Sequence, residues 1–550
     1  TTLFRSQELN KIQKNIKTLE NKIMSTLSKP NFINISENVD IHTTKKQNII
    51  NLNRQNYYYL QRNITNATQR TNIEKLYLTN SNNSIEDLTN LIVERYKYAL
   101  ATGNTTFFNK LKKKSIDENS IKSDIETLIS KIDNKSRKEI DRIYRNLKSD
   151  NFKKKVNSSD VIYYCEKFKT RIEFSPSHVV QCLISVIKDY FNIEIKKTKM
   201  QYNLWSKTVD TYSVSFCNEL FGYCFLDLEK TNAKTMTSPI CIKLYQEYQN
   251  LENIINNTKV AIIGNYSNTK CMTFFDVIYL FREFGYALQC LSHKSSNGLT
   301  LINDEFEMLM PHIMECVVWE KSTVELLCKN ETIPDVVNNI LFSRNLNFAY
   351  NIKIKCVNAL FDYVIHNSSE LINLIKSASP KEKNNVVLSV YKKIYFNIMN
   401  SQNDIYDIDT TGINPTVLQQ EINGSAGLLY RNIYIEILSF SIFQLIKSKT
   451  NNKFIKNVLR CDQSKIKKYI DKFTGSTNNY DLYLKDLIEY DEIDTEMNNN
   501  INTNIDIEKS KYKKTMLPTI IESSANQYID SEHSDDNIEN IIRIDRSSKF

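Results

Sequence analysis

Metal-assisted hydrolysis, nucleophilic catalysis and phosphate binding each need particular side chains at particular spacings. The 550-residue chain can be searched for all three. Its six histidines are His42, His178, His293, His312, His366 and His533, and the nearest two, His293 and His312, are nineteen positions apart. A helix presents two imidazoles to one metal ion only when they lie one turn apart on one face. No HxxH or HxxxH occurs, so no helix supplies a paired-histidine site. The eleven cysteines contain no CxxC pair, which excludes a zinc-ribbon or dithiol redox pattern. Cys182 and Cys290 sit in apolar stretches and read as buried free thiols of a reducing compartment. There is no Walker A sequence and no GxGxxG. "GNYSNTK" (264–270) and "NGSAG" (423–427) lack the remaining glycines of a phosphate loop or a nucleophile elbow and read as loops. Asp407 and Asp409 read as an acidic surface turn.

One stretch departs from this blandness. In "FREFGYALQ" (281–289) Arg282 and Tyr286 stand at i and i+4, with Glu283 beside the first. Residues at that spacing share a helix face, so the Arg282 guanidinium is within reach of the Tyr286 ring, of Glu307 and of Glu315. The alternative is that it extends into solvent. Phe281, Phe284, Gly285, Ala287 and Leu288 are the packing residues. A glycine in mid-helix costs about 1 kcal/mol against alanine, so Gly285 is expected at a close helix contact. Phe306, Ile313, Met314 and Trp319 are expected to supply the facing apolar surface.

The elements that must carry these residues are mostly helices. The chain has only 9 Gly and 8 Pro, with 41% hydrophobic and 25% charged residues. So few glycines argue against a glycine-paved nucleotide fold or an all-β sandwich. Leu9, Ile12, Ile16, Leu19, Ile23 and Leu27 form a narrow apolar seam at helical spacing. The same patterning over Ile85–Tyr98, Ile121–Ile132 and Ser136–Leu147 makes residues 1–155 a helical N-terminal lobe. "TVDTYSVSF", "LFGYCFLDL" and "KVAIIGNY" are β-branched and aromatic runs, which predicts a small sheet of three or four strands. Long helices resume from Phe274. Residues 491–550 are a polar, low-complexity linker and tail. The most apolar run, Ile433–Ile446, is broken by Glu436 and Gln444 and is too short to span a bilayer. The net charge is +9. It reads first as a solvated lysine-rich surface, and the runs Lys112–Lys114 and Lys153–Lys155 leave contact with RNA or anionic lipid open.

Seven stretches in order, "DVIYYCEKF", "LWSKTVDTYSV", "LFGYCFLDLEKTNAK", "SPICIKL", "FREFGYALQ", "DEFEMLMPHIMECVVW" and "NGSAGLLYRNIYIEILSFSIF", form a series. Taken together they resemble the M3 metallopeptidases, the thimet oligopeptidase and mitochondrial intermediate peptidase group. The resemblance runs from Ser158 to Leu487, and the opening TTLF is similar to the start of intermediate peptidases. It implies a mainly helical, two-lobed, neurolysin-like metallopeptidase fold with a central channel and a small sheet next to the active site. The lobes would be residues 1–155 and 156–490. In that family two histidines and a later glutamate hold zinc, and a glutamate after the first histidine is the general base. Here the ligand positions are Arg282, Tyr286 and Met308, or Glu307 if the segment slips by one. Glu283 keeps the base position as a vestige. The family's oxyanion-loop positions fall on Gln420, Ser425, Leu429 and Asn432.

The resemblance therefore implies a pseudopeptidase with no zinc and no other cofactor. It would serve as a structural or scaffold subunit among other proteins and, through its basic surface, RNA. The expected setting is the mitochondrial matrix, a mitochondrial ribosome being one candidate, and the cytoplasm is the alternative. The first residue is not Met, so the chain is expected to be processed or trimmed. Two other readings stay open: an oligopeptidase with an unusual metal site, and a peptide-binding module that does not cut.

Overall fold

The computed structural model describes residues 2–34, 49–111, 118–149, 155–169, 172–200, 204–234, 236, 238–245, 248–249, 254–267, 271–293, 306–329, 335–400, 406, 415, 425–448, 454–460, 466–474 and 483. The expected linker and tail, Gln420, Asp407, Asp409 and the Lys112–Lys114 run lie outside the described residues.

In chain order the elements begin with α1 (Thr2–Ser28), the pair β1 (Phe32–Asn34) and β2 (Ile49–Asn51), α2 (Arg54–Asn63), α3 (Ala67–Asn80) and α4 (Ile85–Ala101). Next come α5 (Phe107–Leu111), α6 (Glu118–Ser149), α7 (Ser158–Lys167), β3 (Glu173–Phe174), α8 (Pro176–Phe191), β4 (Ile193–Thr198), β5 (Asp210–Phe216) and β6 (Glu219–Glu229). Then follow β7 (Ile240–Tyr245), β8 (Tyr248–Gln249), β9 (Ile254–Asn256), β10 (Thr258–Tyr266), β11 (Met272–Thr273), α9 (Phe274–Ser292), α10 (Leu309–Val318), α11 (Lys321–Leu327) and α12 (Val336–Arg344). The trace ends with α13 (Phe348–Asn367), α14 (Ser369–Ser377), α15 (Pro380–Met399), α16 (Tyr430–Ser448) and α17 (Ile466–Thr474). None of the described helices is long and apolar enough to cross a membrane.

These elements form two compact units, each discontinuous in sequence. Among the described residues the first contains 2–168 and 346–430, and the second contains 169–345 and 431–483. A sequential division at 155 and 490 does not express this interleaving: residues 346–430 share the unit of the N-terminal helices.

In the first unit, Ile121–Leu147 is one helix, not two. The Asp133–Asn134 step holds neither Gly nor Pro to stop it, and Asp133 accepts a 2.6 Å bond from the buried Lys353 ammonium of α13. One turn and a half further on, buried Glu139 accepts the backbone N–H groups of Ala349 (3.0 Å) and Tyr350 (2.9 Å). Those donors in the first turn of α13 have no partner within their own helix. The start of "DVIYYCEKF" is architectural. Asn157 and Asp160 close a capping box on α7. Asp160 also pairs at 2.5 Å with buried Arg70, whose guanidinium lies 4.1 Å from the centre of the Tyr163 ring. A buried ion pair is costly unless other hydrogen bonds support it, and Arg70 Nη1 donates to the carbonyls of Ile64 and Thr65, both at 2.9 Å, while its Nε–H has no hydrogen-bond acceptor.

The second unit is built on a five-stranded sheet in the order β4-β5-β6-β10-β7. β5, β6 and β10 are the three runs read from sequence; β6 and β10 are parallel and the other pairs antiparallel. β4 and β7 are the additional strands. Both lie at edges and are short, with lysines on them, so their β signal is diluted. Trp205, Asp227 and Lys234 form one hydrogen-bonded cluster. Asp227 is buried and accepts both the Lys234 ammonium (2.6 Å) and the Trp205 indole N–H (2.9 Å). This pins the turn after β6 to the segment before β5. One core runs from α8 and the sheet through α9 and α10 to α16.

Candidate functional site

α9 presents the FREFGYALQ stretch. Thr273 and Asp276 form its capping box, and its apolar face, including Phe281, Phe284, Ala287 and Leu288, is buried. A Cβ on Gly285 would fall 2.6 Å from the Met310 carbonyl oxygen and 2.7 Å from the Pro311 Cα. The glycine therefore sets the closest approach of α9 to α10, as its mid-helix cost suggested. Phe306, Ile313 and Met314 are buried against α9, and Trp319 packs edge-on to Phe274 with centroids 4.9 Å apart.

On the polar face, Arg282 Nη1 donates to Glu315 Oε1 at 2.8 Å, and the other Glu315 oxygen lies 2.8 Å from His312 Nδ1. The Arg282 side chain is 31% exposed and Glu315 25%. Of the open alternatives, the structure selects Glu315 over Glu307 as the arginine's partner. Partial burial opposes the charge of Arg282, but the carboxylates of Glu315 and Glu283 outweigh it and hold the guanidinium above its usual range. One turn along, the Tyr286 hydroxyl donates to Glu307 Oε1 at 2.9 Å. Burial above all, then neighbouring Cys290 and Glu307, push Tyr286 far up, so it stays a neutral donor. Sequence reading missed a third member. Gln289, buried, donates to the Phe306 carbonyl (2.5 Å) and accepts the Met310 N–H (3.0 Å). Its signal was spacing alone: 282, 286 and 289 fall on one stripe of a 3.6-residue helix.

Glu283 does not face open space. Its Oε2 accepts the backbone N–H of Cys241 at 2.5 Å, tying α9 to β7 at the end of the sheet. The sheet thus lies beside the site, as expected.

Of the four loop positions, Ser425, Leu429 and Asn432 are described, and they have different surroundings. Leu429 is buried and Asn432 exposed. The segment is held by its backbone: Asp362, buried in α13, accepts the N–H groups of Gly427 (2.8 Å) and Leu429 (3.0 Å). His366 Nδ1 lies 2.9 Å from the Asp362 backbone carbonyl and 3.0 Å from its carboxylate, and Nε2 lies 3.1 Å from the Arg95 guanidinium. A guanidinium only donates. Nε2 is therefore the acceptor, and Nδ1–H points at Asp362.

The model of peptidase family M3 matches residues 60–487. The chain belongs to peptidase family M3. Within it, "Probable thimet oligopeptidase" of Arabidopsis thaliana is 22% identical over 252 residues, covering 40% of this chain and 35% of that protein. The chain thus aligns with about a third of that relative. Among solved structures, a candidate peptidase from Chlamydophila abortus superposes with a TM-score of 0.58 at 12% identity, covering 88% of this chain and 73% of that one. Pz peptidase A gives 0.53 at 10% identity, with 86% and 74% covered. At these identities the likeness is one of fold, and the fold is the helical M3 fold with a small sheet.

The M3 resemblance implies zinc at positions 282, 286 and 308, and the donors present do not fit it. Arg282 is a permanent cation already committed to Glu315. The Tyr286 hydroxyl keeps its proton and spends it on Glu307. Met308 offers only a thioether and packs against the core. Among the described residues no group of three or more His, Cys, Asp or Glu side chains is placed to hold a metal ion. Cys182 lies 3.5 Å from His178. Burial pushes its thiol up to about 11, and the thiolate is the reactive form.

Proposed function

We propose that this M3 protein does not hydrolyse peptides and serves as a structural or scaffold subunit in a larger protein assembly. One observation carries the reading: a guanidinium, paired with Glu315 at 2.8 Å, stands where the family's first zinc ligand would be. A cation at that point repels a metal ion, and a carboxylate paired to it is not free to ligate one. Glu283 at the general-base position holds the Cys241 N–H and has no metal-bound water to act on. The resemblance of the motif series to intermediate peptidases supports a mitochondrial setting, and the net charge of +9 supports an assembly that contains RNA.

The second reading is a module that binds extended peptides without cutting them. It is favoured by β7, an end strand of the sheet beside the site, because an edge strand can accept another strand. The test is a cleavage assay on short unstructured peptides with zinc supplied, run beside native purification with identification of co-migrating proteins and RNA. No cleavage and a stable co-migrating complex are expected. Zinc-dependent cleavage overturns the proposal, and peptide affinity without cleavage or complex favours the second reading.

A further inference from the structure

We propose that α9 and α10 are joined by a ladder of side chains that does the cross-linking work of a metal ion. This rests on the non-hydrolytic reading and deepens it. Arg282, Tyr286 and Gln289 stand at i, i+4 and i+7, so they form one stripe along about two turns of α9. Each reaches residues 306–315. Arg282 meets Glu315 at 2.8 Å, Tyr286 meets Glu307 at 2.9 Å, and Gln289 meets the backbone of Phe306 and Met310 at 2.5 and 3.0 Å.

The rungs are specific in kind. The first turn of α10 has N–H groups without helical acceptors, and the residue that precedes it, Met308, provides no side-chain cap. Gln289 takes that role from the neighbouring helix, with both ends of its carboxamide used. Glu315 is fixed from two sides, by Arg282 and by His312, so its carboxylate is preorganised for the ion pair. A metal ion would link the same two segments through its ligands. Here three organic rungs do so, and Gly285, where a Cβ would meet the Met310 carbonyl, lies between the first two of them.

The test uses the full chain and follows the unfolding of the second unit by tryptophan fluorescence. With chelator, the midpoint is expected not to move. In a double-mutant cycle of Arg282→Gln and Glu315→Gln, the two changes are expected to couple by about tenfold in the unfolding equilibrium constant. Gln289→Leu strands the Met310 N–H, while the Phe306 carbonyl keeps the Leu309 N–H, and is expected to weaken folding by about tenfold. If a variant fails to fold, hydrogen exchange on the native chain decides: the Met310 amide is expected among the slowest, and rapid exchange overturns the ladder. A chelator-sensitive midpoint overturns both this proposal and the non-hydrolytic reading. An insensitive midpoint with additive single changes overturns the ladder alone.

Discussion

Gly285→Ala isolates the contact on which the helix pair depends. The new methyl would stand 2.6 Å from the Met310 carbonyl oxygen, where ordinary contact begins at 3.4 Å, so the helices must part by about 0.8 Å. Both nearest neighbours, Met310 O and Pro311 Cα, are backbone atoms, and no rotamer change relieves the clash. Alanine returns about 1 kcal/mol in helix propensity. Overpacking of a close contact costs about 1–3 kcal/mol, and stretching the two Gln289 bonds costs about 1 kcal/mol each. The balance is a loss of about 2–4 kcal/mol. The chain has 2 tryptophans, Trp205 and Trp319, and both lie in the second unit. A urea titration read by their fluorescence therefore reports this unit, with a lower midpoint and an unchanged slope expected for the variant. A midpoint equal to or above that of the parent would refute the close-contact argument.

Other variants test the first unit. Burial pushes Glu139 up to about 7, against the pull of two backbone N–H groups and of Lys135 and Arg142. An acid whose folded pKa exceeds its unfolded value stabilises most below the unfolded value and loses that stability as pH rises through the folded one. Between about pH 4.5 and 7 the parent should lose about 3 kcal/mol from this group, and Glu139→Gln should flatten that slope in thermal midpoints measured across the range. Asp362→Ala strands the Gly427 and Leu429 N–H groups, while His366 Nδ1 keeps the backbone carbonyl of residue 362. A cost of about 3 kcal/mol or more is expected, read as accelerated amide exchange at 427 and 429. Arg70→Met leaves Asp160 buried without its partner and should cost about 3–5 kcal/mol. The companion change Asp160→Asn in the same chain should recover part of that loss in thermal midpoint, which a purely steric role for Arg70 would not produce.

The sequence made some of this visible and hid the rest for physical reasons. Helical spacing identified α1, α4 and α9 because long amphipathic segments repeat their signal over several turns. The α6 break was misplaced because polar residues between two apolar stretches look like a turn when neither Gly nor Pro decides the matter. β4 and β7 were missed because edge strands carry lysines. Arg282, Tyr286 and Glu283 were legible as a stripe with an acid beside it, but their partners were not. Glu315 lies 33 residues from Arg282 and Cys241 lies 42 from Glu283, and nothing local encodes such pairings. Gln289 was overlooked because a buried carboxamide looks no different in sequence from an exposed one. The interleaving of 346–430 with the N-terminal helices depends on contacts such as Glu139 with Ala349, at a separation of 210 residues.

The central claim is that the M3 site of this chain no longer works through zinc. The most direct measurement is zinc content of the purified chain after incubation with zinc and removal of excess, with cleavage of short peptides followed on the same sample. Substoichiometric zinc and no cleavage above background are predicted. One zinc per chain together with cleavage that a chelator abolishes would contradict the account.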